Sequence, residues 1–589
     1  MPQRLFLRKI PNSRTTFFTH NMDRYKNPNI IFACLVVWIF IVSCHHVKKP
    51  SATEMVSNPE SMDDRISDNI QDALEFAAGN NGKIDDSVRL QMTAIVDSFY
   101  TGNDYSNIWS QKEKWQPLAD SLDDFIQNAE TDGLFPKDYH LANFASLKKK
   151  LDTDSASRTD AALWTRADLL LTDGFMHIVK DLKQGRIPKD SLSLNEDTLL
   201  TSNFYLSELK QAVASGNISS LFASLEPGLQ GYQDLKLGLK SFLDSMDRRV
   251  YTYVKYPFKS GNIKDSLQFL TTLRQRLSES NCTDSSDDLP DSVQLKKIIK
   301  EYQKKKKIKQ DGLVSESLVK LLNNNDVERF KRIAITLDRY KQLPDSMPEK
   351  YIWVNLPAYY LQVWDSDTVA LQSRVVCGKP TTPTPQLTSY ITNMITYPTW
   401  TVPTSIIVKQ FLPKLKTNPY YLSKLGLNVL NKDGDIIDPA KIKWKKYTKG
   451  IPYKIMQGSG DDNALGVIKF NFRNKYAVYL HDTNERNLFK KDTRCLSHGC
   501  VRVQQWQDLA FFIIRNDSLN LKPGEKLRNN TDSLTGWLAR KEKKTFDVRN
   551  RIPLFIRYFT CEGKDGKVKF YDDMYNEDKL IRDKYFANK

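Results

Sequence analysis

Cysteine and histidine are both scarce in this chain, with seven of each among 589 residues. The cysteines, at positions 34, 44, 282, 377, 495, 500 and 561, are too sparse for a disulfide-stapled scaffold, so they do not fix the redox compartment. Low-complexity bias is also missing: 24 Gly, 25 Pro, 40% hydrophobic and 11% aromatic residues describe ordinary folded protein. At this length one hydrophobic core is excluded, and three or four units of roughly 100–200 residues are expected. Acidic residues fall short of basic ones, 70 against 87, leaving a formal charge of +17. That excess favours an anionic neighbour, whether nucleic acid, phospholipid headgroups or wall polymers, and does not choose among them. Its densest run, Lys304 to Lys307, reads as a solvated face.

The apolar run from Ile30 to Val42 follows Arg24 and Lys26 and ends in Ile41-Val42-Ser43-Cys44. It is short for a bilayer-spanning helix, which needs roughly 17–25 residues, and suits the core of an export signal. The ending resembles a bacterial lipobox, in which a cysteine after a small residue is lipidated. Residues 22–44 are therefore read as a signal with lipobox, or as an uncleaved membrane anchor, and residues 1–21 as a mis-assigned extension ahead of a start at Met22. The Ser-, Asp- and Asn-rich residues 45–67 read as a linker holding the folded chain at a membrane surface.

Apolar residues then recur at spacings of three and four, as in Leu118, Leu122, Phe125 and Ala129, which predicts an all-α scaffold over 68–283. Nothing in it looks catalytic, and His140 and His177 read as structural. Residues 285–345 predict a small helical module: Leu295, Ile298, Ile299 and Tyr302 on one helix, an Asp311-Gly312 turn, and Leu318, Leu321 and Leu322 on another. At Tyr351 the period changes to that of strands. Tyr351–Leu356, Tyr360–Trp364 with an Asp365-Ser366-Asp367 turn, Val369–Leu371 and Arg374–Val376 open a β-rich domain over 350–530. Residues 408–461 interrupt it with mixed character and read as an insertion. Strands resume at Gly466–Phe470 and at Tyr476–Leu480, the latter running into His481, and residues 531–589 form a C-terminal extension.

After His177 the only histidines are His481 and His498, and both lie in a short segment that also holds Cys495 and Cys500. A thiol attacks a carbonyl only as thiolate, so at neutral pH it needs a neighbouring imidazole to take its proton. A strand-end His481, a returning loop and Ser497-His498-Gly499-Cys500-Val501-Arg502 supply those parts. Gly499 permits a tight turn whose backbone N–H groups could hold an oxyanion. Zinc is a competing use of the two histidines and two cysteines.

The strand-end His followed by Ser-His-Gly-Cys, an apolar residue and Arg resembles the L,D-transpeptidase family, whose catalytic domain is of the YkuD type. The order His then Cys separates it from papain-like enzymes. The likeness extends to Ala129–Leu134 with Tyr139-His140, Leu169–Asp173 with Gly185-Arg186, Asn355–Ala358, Tyr397–Pro403 and the tail from Pro553, and so points to a large periplasmic subfamily. Leu322-Asn323 with Asp311-Gly312 resembles a three-helix peptidoglycan-binding module. The resemblance implies a multidomain α+β chain: an all-α scaffold, a small three-helix module, and a β-sandwich-like catalytic domain with a capping subdomain at 408–461, completed by 531–589. It implies Cys500 as acylated nucleophile, His481 as base oriented by the backbone carbonyl that follows it, and Ser497, His498, Gly499 and Arg502 as substrate- or oxyanion-lining residues.

The same resemblance implies the reaction. Cys500 attacks a peptidoglycan tetrapeptide stem at its third residue, D-alanine leaves, and an amine of a second stem resolves the thioester into a 3→3 cross-link. No metal or organic cofactor is implied, carbapenem-type lactams become expected inhibitors, and the place of work is the periplasm or cell envelope, tethered at the membrane. Water or a protein amine as acceptor gives the carboxypeptidase and wall-attachment alternatives, and a non-catalytic wall-binding scaffold is the reading from another class. Export removes nucleic acid as a partner. Cys495 is a bystander or an oxidation partner for Cys500.

Overall fold

A long helix that is apolar on nearly every side must be wrapped by others, and α2 (Ala161–Lys183) organises the N-terminal half in that way. The computed structural model describes residues 49–589 except 87, 190–191, 194–199, 257–262, 283–291, 520 and 522–528. The signal, lipobox and N-terminal extension of the sequence reading lie outside the described residues. Among those described, no helix is long and apolar enough to cross a membrane.

The linker needs correcting. α1 (Met62–Gly79) begins inside it, and Val56, Met62 and Ile66 sit in the scaffold core with Ile70 and Leu74. A polar composition hid a helical stripe spaced by four. The preceding strand-like segment is tied down as well, since the backbone N–H of Glu54 donates to Asp160 Oδ1 (2.8 Å) and that of Ala161 donates to Glu54 O (2.8 Å). Asp160 also caps α2 by accepting from the N–H of Ala162.

The helical boundaries shift too. α3 (Gln230–Ser245) ends the scaffold. α4 (Ile263–Ser278), assigned to the scaffold from sequence, packs Phe269, Leu273 and Leu277 against Ile299 and Tyr302 of α5 (Ser292–Lys305) and Leu318 and Leu322 of α6 (Glu316–Leu322). The small module is thus built from α4, α5 and α6. α7 (Asp326–Tyr340), which the sequence reading placed inside it, instead lies between scaffold and catalytic domain. Helical periodicity identifies a buried stripe and does not name the core that buries it.

The catalytic domain has ten principal strands: β1 (Lys350–Asn355), β2 (Tyr360–Asp365), β3 (Thr368–Gly378), β4 (Leu387–Thr396), β5 (Ile468–Phe472), β6 (Leu480–His481), β7 (Cys495–Ser497), β8 (Val501–Val503), β9 (Thr545–Asp547) and β10 (Pro553–Arg557). Their order is β5-β6-β8-β3-β2-β1-β10-β4-β9, with β7 on β3, and β5 also pairs with β4, so the sheet closes on itself. The inner face packs Ile352, Leu361, Val375, Phe470, Leu480, Val501 and Val503 into one core. The C-terminal strand β10 enters centrally, parallel to β1 and antiparallel to β4. The hairpin after it, Cys561–Lys564 with Lys567–Phe570, leaves the sheet and lies against α3.

The insertion folds as a four-stranded sheet of its own, in which Trp400–Thr401 pairs with Lys454–Gln457. It therefore starts nearer 400 than 408, because a two-residue strand left no periodicity to read. The strand expected at Tyr476–Leu480 shrinks to Leu480–His481. Asn474 takes the backbone there through its side chain, accepting from the N–H of Tyr476 (3.0 Å) and Val478 (3.1 Å) and donating to Val478 O (2.8 Å), and Ala477 adopts φ +56.

Candidate active site

Strand register puts the site together. β6 and β8 run parallel with His481 opposite Arg502 and Leu480 opposite Val501. On the other side of β6, β5 sets Lys469 opposite His481. Side chains alternate along strands, so with Leu480, Val501 and Val503 inside, the outer face carries Lys469, His481 and Arg502 in one row, with Tyr479 and Cys500 one step behind. The N–H of Val501 donates to Tyr479 O (3.1 Å), which carries the pairing back to Cys500.

His481 is 4% exposed, and its Nδ1–H donates to the backbone carbonyl of Asp482 at 2.5 Å. That bond fixes the neutral tautomer with Nε2 unprotonated, the form a base requires. Burial first, then Arg502, and to a smaller extent Lys469, pull the imidazole down to about 3, against a partial lift from the carbonyls of Asp482 and Leu465. An imidazole between two cations stays neutral at physiological pH.

Half-buried Cys500 has a thiol pushed up by burial, an effect opposed by hydrogen bonds from the backbone and hydroxyl of Tyr479 and by the charges of Lys469 and Arg502. Lys469 lies 3.9 Å over the Tyr479 ring, and Tyr479 meets His481 edge-on at 5.6 Å. Both shifts favour an uncharged thiol beside an uncharged imidazole.

The Ser-His-Gly-Cys turn is braced from within. Ser497 Oγ accepts from the N–H of Gly499 (3.1 Å) and donates to Cys500 O (2.6 Å). The structure therefore uses Ser497 to shape the turn, and commits the Gly499 N–H to that turn rather than to an oxyanion. Gly499 sits at φ +121, open only to glycine. From outside, Thr384 Oγ1 donates to Gly499 O (2.8 Å) and accepts from the N–H of Gly378 (2.9 Å). Arg502 donates to Glu485 Oε2 (2.6 Å), and its buried Nε has no partner among the described residues. His498 is exposed and pairs with Gln410 Oε1 (3.0 Å) on the helical turn Ile407–Phe411 of the insertion, so the structure places it at the rim.

The loop after His481 is held by Asp482, whose Oδ2 accepts from the N–H of Val467 (3.0 Å) and from Arg486 (2.9 Å). A Cβ on Gly466, at φ +62, would lie 2.2 Å from that oxygen. Lys469, Tyr479, Thr384, Asp482 and Gln410 were not singled out from sequence. The alternation around His481 could have flagged Tyr479, and Asp482 follows His481 directly, its carbonyl being the expected orienting group; Lys469, Thr384 and Gln410 come from other segments. Cys495 lies across from Cys377 in the β7–β3 pairing. Among the described residues no group of three or more His, Cys, Asp or Glu is arranged to hold a metal ion.

Residues 349–518 match the family model for the L,D-transpeptidase catalytic domain, and residues 94–239 match one for a scaffold domain. Residues 349–518 are thus an L,D-transpeptidase catalytic domain of the YkuD type. A Haemophilus influenzae protein assigned by name as an L,D-transpeptidase is 33% identical over 251 residues, 43% of this chain and 49% of that protein. The chain thus spans about half the length of that curated relative. Among solved structures, the ertapenem-acylated catalytic domain of an E. faecium L,D-transpeptidase is 17% identical, with 36% of this chain and 99% of that one covered at a TM-score of 0.17. A Mycobacterium smegmatis L,D-transpeptidase is 12% identical over 36% of this chain and 61% of that one, also at 0.17. Superpositions at that level add nothing to the assignment.

Proposed function

We propose that this L,D-transpeptidase works through a Cys500 acyl-enzyme and forms 3→3 cross-links in peptidoglycan at the cell envelope. The observation that carries the reading is the shared outer face of β6 and β8, which brings a buried neutral histidine with an oriented Nδ1 beside a cysteine in a braced turn.

In the first half-reaction the Cys500 proton passes to His481 Nε2 and the thiolate attacks the carbonyl of the third stem residue. The C–N bond to the terminal D-alanine breaks, and His481 returns the proton to the leaving amine. In the second, the side-chain amine of another stem loses a proton to His481 as it attacks the thioester, the C–S bond breaks, and Cys500 recovers its proton. Lys469 and Arg502 favour the thiolate over the thiol, and the Tyr479 hydroxyl solvates it. The N-terminal lipobox-like segment supports a membrane-tethered, exported location.

The test is intact mass after incubation with a carbapenem, for wild type, Cys500→Ala and His481→Ala. One adduct per chain, absent in Cys500→Ala and slow in His481→Ala, is expected. Absence of any adduct on folded wild type overturns the reading. Products from disaccharide-tetrapeptide then separate dimer formation from hydrolysis to tripeptide.

A further inference from the structure

A second concavity lies away from the cysteine. It is a cleft of about 1070 Å³ between the start of α3, the outer face of β1–β3, the hairpin Cys561–Phe570 and the residues just after β8. Pockets for drug-sized ligands occupy roughly 300–1,000 Å³ and favour domain junctions, so this one has room for an oligomer.

Register shows that its floor is a continuation of the catalytic face. Arg502 pairs with Val376, which puts Arg374 and Gln372 on the Cys500 side of β3. Gln362 is opposite Gln372, and Trp353 is opposite Gln362. Tyr351 and Trp364, directly opposite each other, lie with ring planes 6° apart and centroids at 5.9 Å. Two parallel rings offer flat faces to the C–H side of pyranose rings, and the amides beside them donate and accept at once, as vicinal hydroxyls and N-acetyl groups require.

Other occupants fit worse. β2 and β3 are interior strands, so the floor has no free backbone edge on which a peptide could add as a strand. The lining carries five carboxylates and four cations, a balance unsuited to a polyanion despite the chain's +17.

We infer that this cleft binds an uncharged glycan chain of N-acetylated pyranoses, stacked on Tyr351 and Trp364 and hydrogen-bonded by Gln362 and Gln372. That the glycan is the one bearing the reacting stem peptide rests on the function proposed above. The spacing suits it: Gln504, at the cleft margin, is four residues beyond Cys500 along β8. That is roughly 13 Å of strand, enough for the three extended stem residues that lead up to the attacked carbonyl, about 10–11 Å, and their link to the sugar.

Titration of the full-length protein with the β-1,4-linked hexamer of N-acetylglucosamine, followed by calorimetry and Trp fluorescence, tests this. Saturable binding by wild type is expected, weakened about tenfold or more by Trp364→Ala and by Gln372→Ala. Gln372 is exposed, so its variant keeps the test valid if Trp364→Ala fails to fold. No saturable binding by wild type, or equal affinity in folded Gln372→Ala, overturns the inference. Carbapenem adduct formation on the wild type separates the two readings. Adduct without hexamer binding removes only the cleft proposal, whereas binding without adduct removes the catalytic reading and leaves a sugar site.

Discussion

A half-buried histidine of the scaffold and the buried His481 make the instructive contrast. In the scaffold, His140 Nε2 meets Asp173 Oδ2 at 2.7 Å, while the same carboxylate accepts from the backbone N–H of Gln91 (2.9 Å) and Met92 (2.7 Å). Nearby, Asp168 accepts from the N–H of Ile108 and Trp109, and Trp109 Nε1 donates to Thr172 (2.8 Å). Polar groups there are used to pin loops onto α2. In the catalytic domain His481 has a backbone carbonyl instead of a carboxylate and cations on both sides, and Arg502 Nε and Asp482 Oδ1 are buried without partners among the described residues. A histidine paired to a carboxylate holds a fold, and one left neutral with an unprotonated nitrogen can accept a proton.

The sharpest way to break that contrast is to exchange the two histidines for glutamine. His481→Gln should slow carbapenem acylation by about 10²–10⁴-fold with the thermal midpoint little changed, whereas His140→Gln should leave the rate per folded molecule intact. If both variants lose rate in proportion, the division between regions is wrong. Next in size, Asp173→Ala strands the N–H groups of Gln91 and Met92 and should cost about 3 kcal/mol in denaturant unfolding, without altering acylation of what remains folded.

Lys469→Met removes the cation that favours the thiolate while relaxing the pressure on His481, and should slow acylation about tenfold. The pH profile sharpens the same point. Because the imidazole is held at about 3, its neutral form persists far below the ordinary histidine range, and acid should not silence the base until well under pH 6. Because burial raises the Cys500 thiol, the reactive pair of neutral thiol and neutral imidazole persists from well under pH 6 into the ordinary thiol range, and the rate should stay level across that span. A rate that falls away as pH drops through about 6.5 would show an imidazole titrating in the ordinary histidine range, contrary to this geometry. The smallest effect is assigned to Gln410→Ala, which frees His498 from the insertion's helical turn and should change acylation only a few-fold.

Much of the site was legible before any fold. His481 and Cys500 stood out because histidine is rare and the turn needs glycine between histidine and cysteine. The helical scaffold, the β-rich domain and the presence of an insertion were legible from period. Boundaries were less so: a helix hid in the polar residues before Ser67, and α4 and α7 belong to cores other than those assigned. Ser497 and Gly499 were expected to line the substrate or its oxyanion, and the fold engages both in the turn.

By itself the sequence determined which atoms can do chemistry, since residue type and local spacing are written in the chain. The tertiary structure alone decided their state. Strand register ranked Lys469 and Arg502 on either side of His481, burial kept thiol and imidazole uncharged, and segments from Thr384 to Gly499 met to hold the turn. It also placed the aromatic cleft on the face that carries Cys500. Pairing between distant strands sets which side chains share a face, and no local pattern encodes that pairing.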